Sequence, residues 1–378
     1  MRFLISASCV GAFVAGSAGA GTFTPLLQVG NYGAQPGVII SFQEKLYFGV
    51  EIAGKTGNGS LMSLNPVSGA AAVVYSFSGP DGSVPNSLTP FTRGGVAMLH
   101  GSTAFGGTGY VNSESGFGTL FDINLQTGKL TTRFSFDCNN GNAPVPSLYS
   151  GKTIFGATYL AGCPYDYGTI FSLDSSKGVI TTLHDFTTES DGASPSYVME
   201  ISNTLLGTTA FGGANGFGTI FSYDLQAGTK ATLHNFTSAE GTGATRLTMA
   251  ANGKLYGTLA GSSTGTPVPA AIYQYDRSGN TVTVLYRLNP QTEGVGSSQP
   301  YQAGNGLLWG VCQAGGPGGQ GTLWSFNPAT NKLTVQHGFT GGVDGAHPTA
   351  LALTRGVVYG TTYYGGTGGG GVVFGYTY

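Results

Sequence analysis

Residues 191–236 carry four apolar-rich runs, at 194–199, 204–211, 218–224 and 230–236, each five to eight residues long and parted by polar, Gly-containing breaks. Thr, Ile, Leu, Phe and Tyr fill the runs. That pattern predicts short strands joined by hairpins, and no convincing helical period is found. The first run is rich in small residues, as a crowded innermost strand requires.

Copies of this pattern recur along the chain. A Gly-Thr-Ile/Leu-Phe-like start to the third run falls at Gly59, Gly118, Gly168, Gly218, Ala270, Gly321 and Gly371, at intervals of 59, 50, 50, 52, 51 and 50 residues. A period near fifty is the length of one four-stranded propeller blade. The turn after this run has its own chemistry. Asn65, Asn124, Asp174, Asp224, Asp276 and Asn327 are followed by Gly69, Gly128, Gly178, Gly228, Gly279 and, in the sixth copy, Asn331. Asn and Asp bond the backbone just ahead of them, and Gly or Asn accepts the left-handed conformation of a tight hairpin.

A second signature precedes the innermost run: Asp81-Gly82 with Pro85, Asn140-Gly141 with Pro144, Asp191-Gly192 with Pro195, and Asp344-Gly345 with Pro348. Glu240-Gly241 and Glu293-Gly294 are variants. These acids read either as a ring of metal ligands or, more simply, as capped turns entering a strand, and the capped turn is favoured. The last copy stops after its third strand. Residues 23–29, followed by Asn31-Tyr32-Gly33 and Pro36, have the form of the missing fourth strand. The expected fold is therefore all-β, a seven-bladed β-propeller whose N-terminal strand completes the last blade and leaves no open sheet edge.

Residues 1–20 read as an export signal, with Arg2, an apolar run over 3–14 and Ala18-Gly19-Ala20 before a cut ahead of Gly21. The expected organisation is a signal peptide at 1–20 and a single propeller domain at 21–378, secreted or periplasmic and monomeric. No later stretch reaches the roughly 18 apolar residues that span a bilayer. With 8% charged residues and a net charge of -2, nothing suggests capture of nucleic acid or of an anionic membrane. Cys9 leaves with the signal. Cys138 and Cys163 fall on neighbouring loops of the third blade, so export allows them a disulfide, and Cys312 reads as a small buried residue.

The strand Tyr-Gly-Thr-Thr at residues 359–362, its variant Leu255-Tyr256-Gly257-Thr258, Gly212-Gly213, the run 218–221 and the run 232–236 together resemble the GloVer tandem repeats of secreted bacterial proteins. The resemblance covers nearly all of the mature chain. It implies an exported repeat protein and supplies no catalytic residues.

In this strand order the loops before each innermost strand and those after each second strand emerge at one face, around the channel mouth. Seven loops converge there on rigid blades, so departures from the repeat at that face are the candidates for function. Past the second-strand glycine they are Glu51, Tyr159, Gln313, Tyr363 and Tyr364. At innermost-strand entries they are Asn86, Tyr197, Arg246, Tyr301, Gln302 and His347. The third blade adds Tyr165 and Asp166. Tyrosine platforms, amides, one arginine and one or two acids suit a neutral or mildly acidic sugar. Each also has a structural reading: Tyr197 and Tyr301 as interblade core, Glu51 as a solvated loop acid, His100 as a core histidine. His184, His234 and His337 lie on outer strands, away from the mouth. No metal site, cofactor motif, phosphate loop or serine elbow is found.

Three function classes follow. The first is a binding module for carbohydrate or a cell-surface partner. The second is a polysaccharide lyase acting by β-elimination, with His347 or Tyr363 taking the C5 proton of a uronate and Arg246 or Gln302 neutralising its carboxylate. Hydrolysis ranks lower, because it needs two carboxylates roughly 5 to 9.5 Å apart and Glu51 and Asp166 are distant in blade order. The third is a structural matrix protein, which predicts no ligand.

Overall fold

The computed structural model describes residues 21–54, 56–112, 114–150, 152–160, 167–187, 189–261, 269–354 and 356–378. The expectations on residues 1–20, Cys163, Tyr165 and Asp166 lie outside these. The strands form seven antiparallel sheets, six with their strands paired in chain order and the seventh with the N-terminal strand Thr22–Gln28 outermost, and no α-helix occurs among the described residues. This is the seven-bladed β-propeller that the repeat predicts. In the fourth blade the strands are Ala193–Ile201, Thr204–Phe211, Thr219–Asp224 and Thr229–Asn235.

The repeated aromatics join the blades. In five blades a Phe follows the outer strand and tilts onto the third-strand aromatic of the next blade: Phe77 on Phe121, Phe136 on Phe171, Phe186 on Phe221, Phe236 on Tyr273 and Phe339 on Phe374, with centroids 5.2–5.5 Å apart. All of these rings are buried, and burying one contributes about 1.5–3 kcal/mol. The second-strand glycine exists to make room for the same ring. A Cβ on Gly207 would lie 2.4 Å from Phe221 Cζ, and one on Gly360 would lie 2.3 Å from Phe374 Cζ. The first blade solves the problem by exchange. Phe48 stands where the other blades have glycine, and its register partner is the slimmer Met62.

The hairpin turns follow the chemistry read from the sequence. Asp224 Oδ1 accepts from the backbone N–H of Gln226 and Ala227 at 2.8 and 2.9 Å, and Gly228 takes φ 68°. Asn331 takes φ 53° in the sixth copy. The fifth blade differs, because Asn280 rather than Gly279 holds the left-handed position, at φ 50°.

Closure also follows expectation. Thr22–Gln28 pairs antiparallel with Val372–Thr377, Phe23 opposite Tyr376 and Gln28 opposite Val372. Val29 N donates to Gly371 O at 3.0 Å, and the Phe23 ring stacks on His337 at 3.8 Å between centroids.

The innermost strands are not alike. Five are continuous: Ala34–Phe42, Ser83–Arg93, Asn142–Ser150, Ala193–Ile201 and Ala346–Thr354. In the fifth blade only Thr248–Met249 remains, and in the sixth the strand is split into Val295–Ser297 and Tyr301–Gln302. These are the two copies that lack the entry proline.

Candidate functional site

Each continuous innermost strand enters through a proline set opposite the second strand, with Pro36 facing Val50, Pro85 facing Thr103, Pro144 facing Thr158, Pro195 facing Thr209 and Pro348 facing Thr362. The residue before the proline is left-handed, as at Gln35, Val84, Ala143, Ser194 and His347, whose φ values run from 53° to 65°. Its N–H is tied to the preceding blade, as His347 N is to Gln320 O at 2.9 Å. The scaffold thus holds His347 by its backbone and turns its side chain toward the mouth.

One residue past those second-strand partners, the copies read Glu51, Ala104, Tyr159, Ala210 and Tyr363, and the fifth and sixth blades supply Ala260 and Gln313. The large polar members from three successive blades, Gln313, Tyr363 and Glu51, line one pocket of about 520 Å³ together with Asn86, Gln299, Tyr301, His347, Thr349 and Tyr364. Tyr363 Oη donates to Glu51 Oε2 at 2.6 Å. Burial raises the Glu51 pKa above the ordinary carboxyl value, and the Tyr363 hydrogen bond partly offsets it. Burial and the neighbouring Glu51 carboxylate push the Tyr363 phenol well up. At neutral pH the protonated Tyr363 phenol is the donor in this pair. Tyr364 packs edge-on against both Tyr363 and His347, with centroids 4.8 and 5.5 Å away.

Beside this pocket lies the central cavity, of about 920 Å³, lined by Val38, Leu88, Val145, Tyr197, Arg246, Tyr301 and Leu351, one from each blade. The two spaces share Val38, Asn86, Gln299 and Tyr301 in their walls, so they adjoin. Arg246 lies over the Tyr197 ring, its Cζ 3.5 Å from the centroid, and donates to Tyr197 Oη at 2.8 Å. Tyr159 and Gln302 also line this cavity.

The placement corrects two expectations. Tyr301 and Gln302 are not at the strand entry: they pair with Trp309 and Leu308, while Val295 and Ser297 occupy the entry opposite Ala314 and Cys312. The break over residues 298–300, which includes Pro300, moves them along the channel. Gln302 Oε1 accepts from Ala251 N in the fifth blade at 2.6 Å, which binds it to the framework. Asn86 is similarly engaged, its Oδ1 accepting from Ser102 Oγ at 2.5 Å and its Nδ2 donating to Pro144 O at 3.3 Å. Gln299, which donates to Tyr301 Oη, and Thr349 join the site without having been singled out. The polar run Ser297-Ser298-Gln299 ahead of Pro300 was the signal for the first.

The loop acids are capped turns. Asp81 Oδ1 accepts from Ser78 N at 2.8 Å, and Asp344 Oδ2 accepts from Thr340 N at 3.0 Å. Each also meets an outer-strand partner, Tyr75 for Asp81, His234 for Glu240 and His337 for Asp344. Among the described residues no group of three His, Cys, Asp or Glu is placed to hold a metal ion. His100 is in the wall of the second blade, with Nδ1 2.9 Å from Asp122 Oδ1, and Arg133 Nε donates to Asp122 Oδ2 at 2.7 Å. Burial lowers its pKa. Cys138 is disulfide-bonded, and Cys312 is a buried free thiol whose pKa burial pushes up to about 12.

Propeller, closure and mouth together define a repeat β-propeller. The chain belongs to the Gloeobacter/Verrucomicrobia repeat family, whose model matches residues 15–202 and 196–374. No curated protein matches the sequence. Among solved structures it is similar to an oligogalacturonate lyase from Vibrio parahaemolyticus, with TM-score 0.60, 14% identity, and 95% of this chain and 97% of that one covered. An oligogalacturonate lyase in complex with manganese gives TM-score 0.59 and 14% identity over 94% and 92% of the two chains. The extracellular domain of a putative one-component system from B. thetaiotaomicron gives TM-score 0.62 and 10% identity over 94% of this chain and 40% of that one. At these identities the likeness is one of fold. No helix among the described residues is long and apolar enough to cross a membrane.

Proposed function

We propose that this is an exported propeller that binds carbohydrate in the mouth pocket over the sixth, seventh, first and second blades. The observation that carries the reading is the Glu51–Tyr363 pair. A carboxylate and a phenol from adjacent blades meet at 2.6 Å, bordered by Tyr364, His347, Gln313 and Gln299. Aromatic faces that stack on C–H surfaces, beside fixed acceptors and donors for hydroxyl groups, are the chemistry of a sugar site. In isothermal titration against a panel of oligosaccharides, at least one should bind, and Tyr363→Phe should weaken it about tenfold, because the Glu51 carboxylate loses the bond that orients it toward the sugar. Failure of every sugar, or indifference to both Tyr363→Phe and Glu51→Gln, would refute this reading and leave a protein partner or a structural role.

A second reading, β-elimination at a uronate, draws support from His347 lining the same pocket as Glu51 and Tyr363. There the imidazole takes the C5 proton, the C5–H electron pair becomes the C4–C5 double bond, the C4–O bond breaks with its pair leaving on oxygen, and Tyr363, turning its O–H from Glu51, protonates that oxygen. Growth of the ultraviolet absorbance of an unsaturated uronate, lost in His347→Ala, supports it. Binding without new absorbance or new reducing ends removes it.

A further inference from the structure

Arg246 is the one charged residue among the described residues that line the central cavity. No carboxylate among the described residues pairs with it. Its one recorded hydrogen bond goes to Tyr197, whose ring it covers at 3.5 Å. Tyr197 is itself 9% exposed. A guanidinium has five N–H donors in a rigid plane. One is spent on the phenol, stacking fixes the plane, and the remainder are open to an oxygen-rich anion. Glu51, the acid of the adjoining pocket, does not line this cavity.

From this we infer that the central cavity holds an anion subsite, in which Arg246, oriented by Tyr197 and flanked by Gln299 and Tyr301, takes the carboxylate of an acidic sugar whose next residue lies in the Glu51–Tyr363 pocket. The inference rests on the carbohydrate reading and names its ligand class as uronate-containing oligosaccharides. A lone cation in a cavity otherwise lined by neutral groups attracts negative charge, and the planar fork matches a carboxylate in two parallel hydrogen bonds.

The test uses the full mature chain and trisaccharides of galacturonate, glucuronate and mannuronate, each beside its carboxyl-reduced hexose counterpart, by isothermal titration at low and high salt. The wild type should bind one acid form at least about tenfold more tightly than its reduced form, and less so in salt. Arg246→Gln should erase that preference, bringing the affinity for the acid form down to that for the reduced form, while Arg246→Lys should restore part of it. Equal binding of acid and reduced forms, or a preference that survives in Arg246→Gln, overturns the anion subsite and leaves carbohydrate binding standing. Binding of none of the six by wild type overturns both. Melting curves of the variants confirm that each is folded.

Discussion

The innermost strands of the first to fourth and seventh blades run unbroken for nine to eleven residues, while those of the fifth and sixth are reduced to fragments of two or three. Along a continuous strand the ladder sets the register apart from one shift near its entry, and in the fifth and sixth blades most of that ladder is missing. Arg246, Gln299 and Tyr301, the cavity's cation and two of its polar groups, all come from or border the broken strands. Within that cavity the irregular blades supply the cation, whereas the Glu51–Tyr363 pair of the adjoining pocket comes from the regular first and seventh blades, so the division belongs to the central cavity and follows the absence of the entry proline.

The comparison can be broken most severely from the regular side. Removing residues 21–28 bares the edge of Val372–Thr377, and the expected outcome is loss of cooperative melting together with aggregation, read by calorimetry and light scattering. Next comes Phe221→Ala, which empties a fully buried position between the third and fourth blades. It should cost about 3–5 kcal/mol in denaturant unfolding.

Smaller effects belong to the mouth. Because burial raises Glu51 above its ordinary value of 4.5, the folded protein holds that proton more firmly than the unfolded chain does. Stability contributed by this group is therefore present at low pH and falls as pH rises from about 4.5 through the raised value. Glu51→Gln should flatten that part of the stability profile, whereas Tyr363→Phe, which removes the offsetting hydrogen bond, should move the fall to higher pH. An unchanged profile in both variants would dissociate the pair from the titration. The smallest effect on folding is expected for Arg246→Gln, about 0.5–1 kcal/mol for a partly exposed cation–π contact. A loss as large as that of Phe221→Ala would place Arg246 with the scaffold and dissolve the division.

Much of this was legible in the sequence because repetition makes each copy a control for the others. The blade number, the hairpin turns and the closing strand all rest on positions that must be glycine, asparagine or aromatic for steric reasons, and these show in a single chain. Glu51, Tyr159, Gln313 and Tyr363 stood out in the same way, as large residues where other copies carry alanine. What was misplaced lay where the copies stop being comparable. The interruption around Pro300 shifted Tyr301 and Gln302 along the channel, and Gln299 could not be aligned with anything. Asn86 looked available only because Ser102, its partner on the next strand, cannot be matched to it without coordinates.

The strand Thr22–Gln28 is made first and finds its partner Val372–Thr377 last. Until Val372–Thr377 is made, Thr22–Gln28 has no strand to pair with and the nascent chain stays open to proteolysis. Pulse-chase proteolysis of chains ending at residue 371 should find them cleavable throughout, whereas full-length chains become resistant in a single late step. Early resistance of the shortened chains would show that the circle is secure before its latch engages.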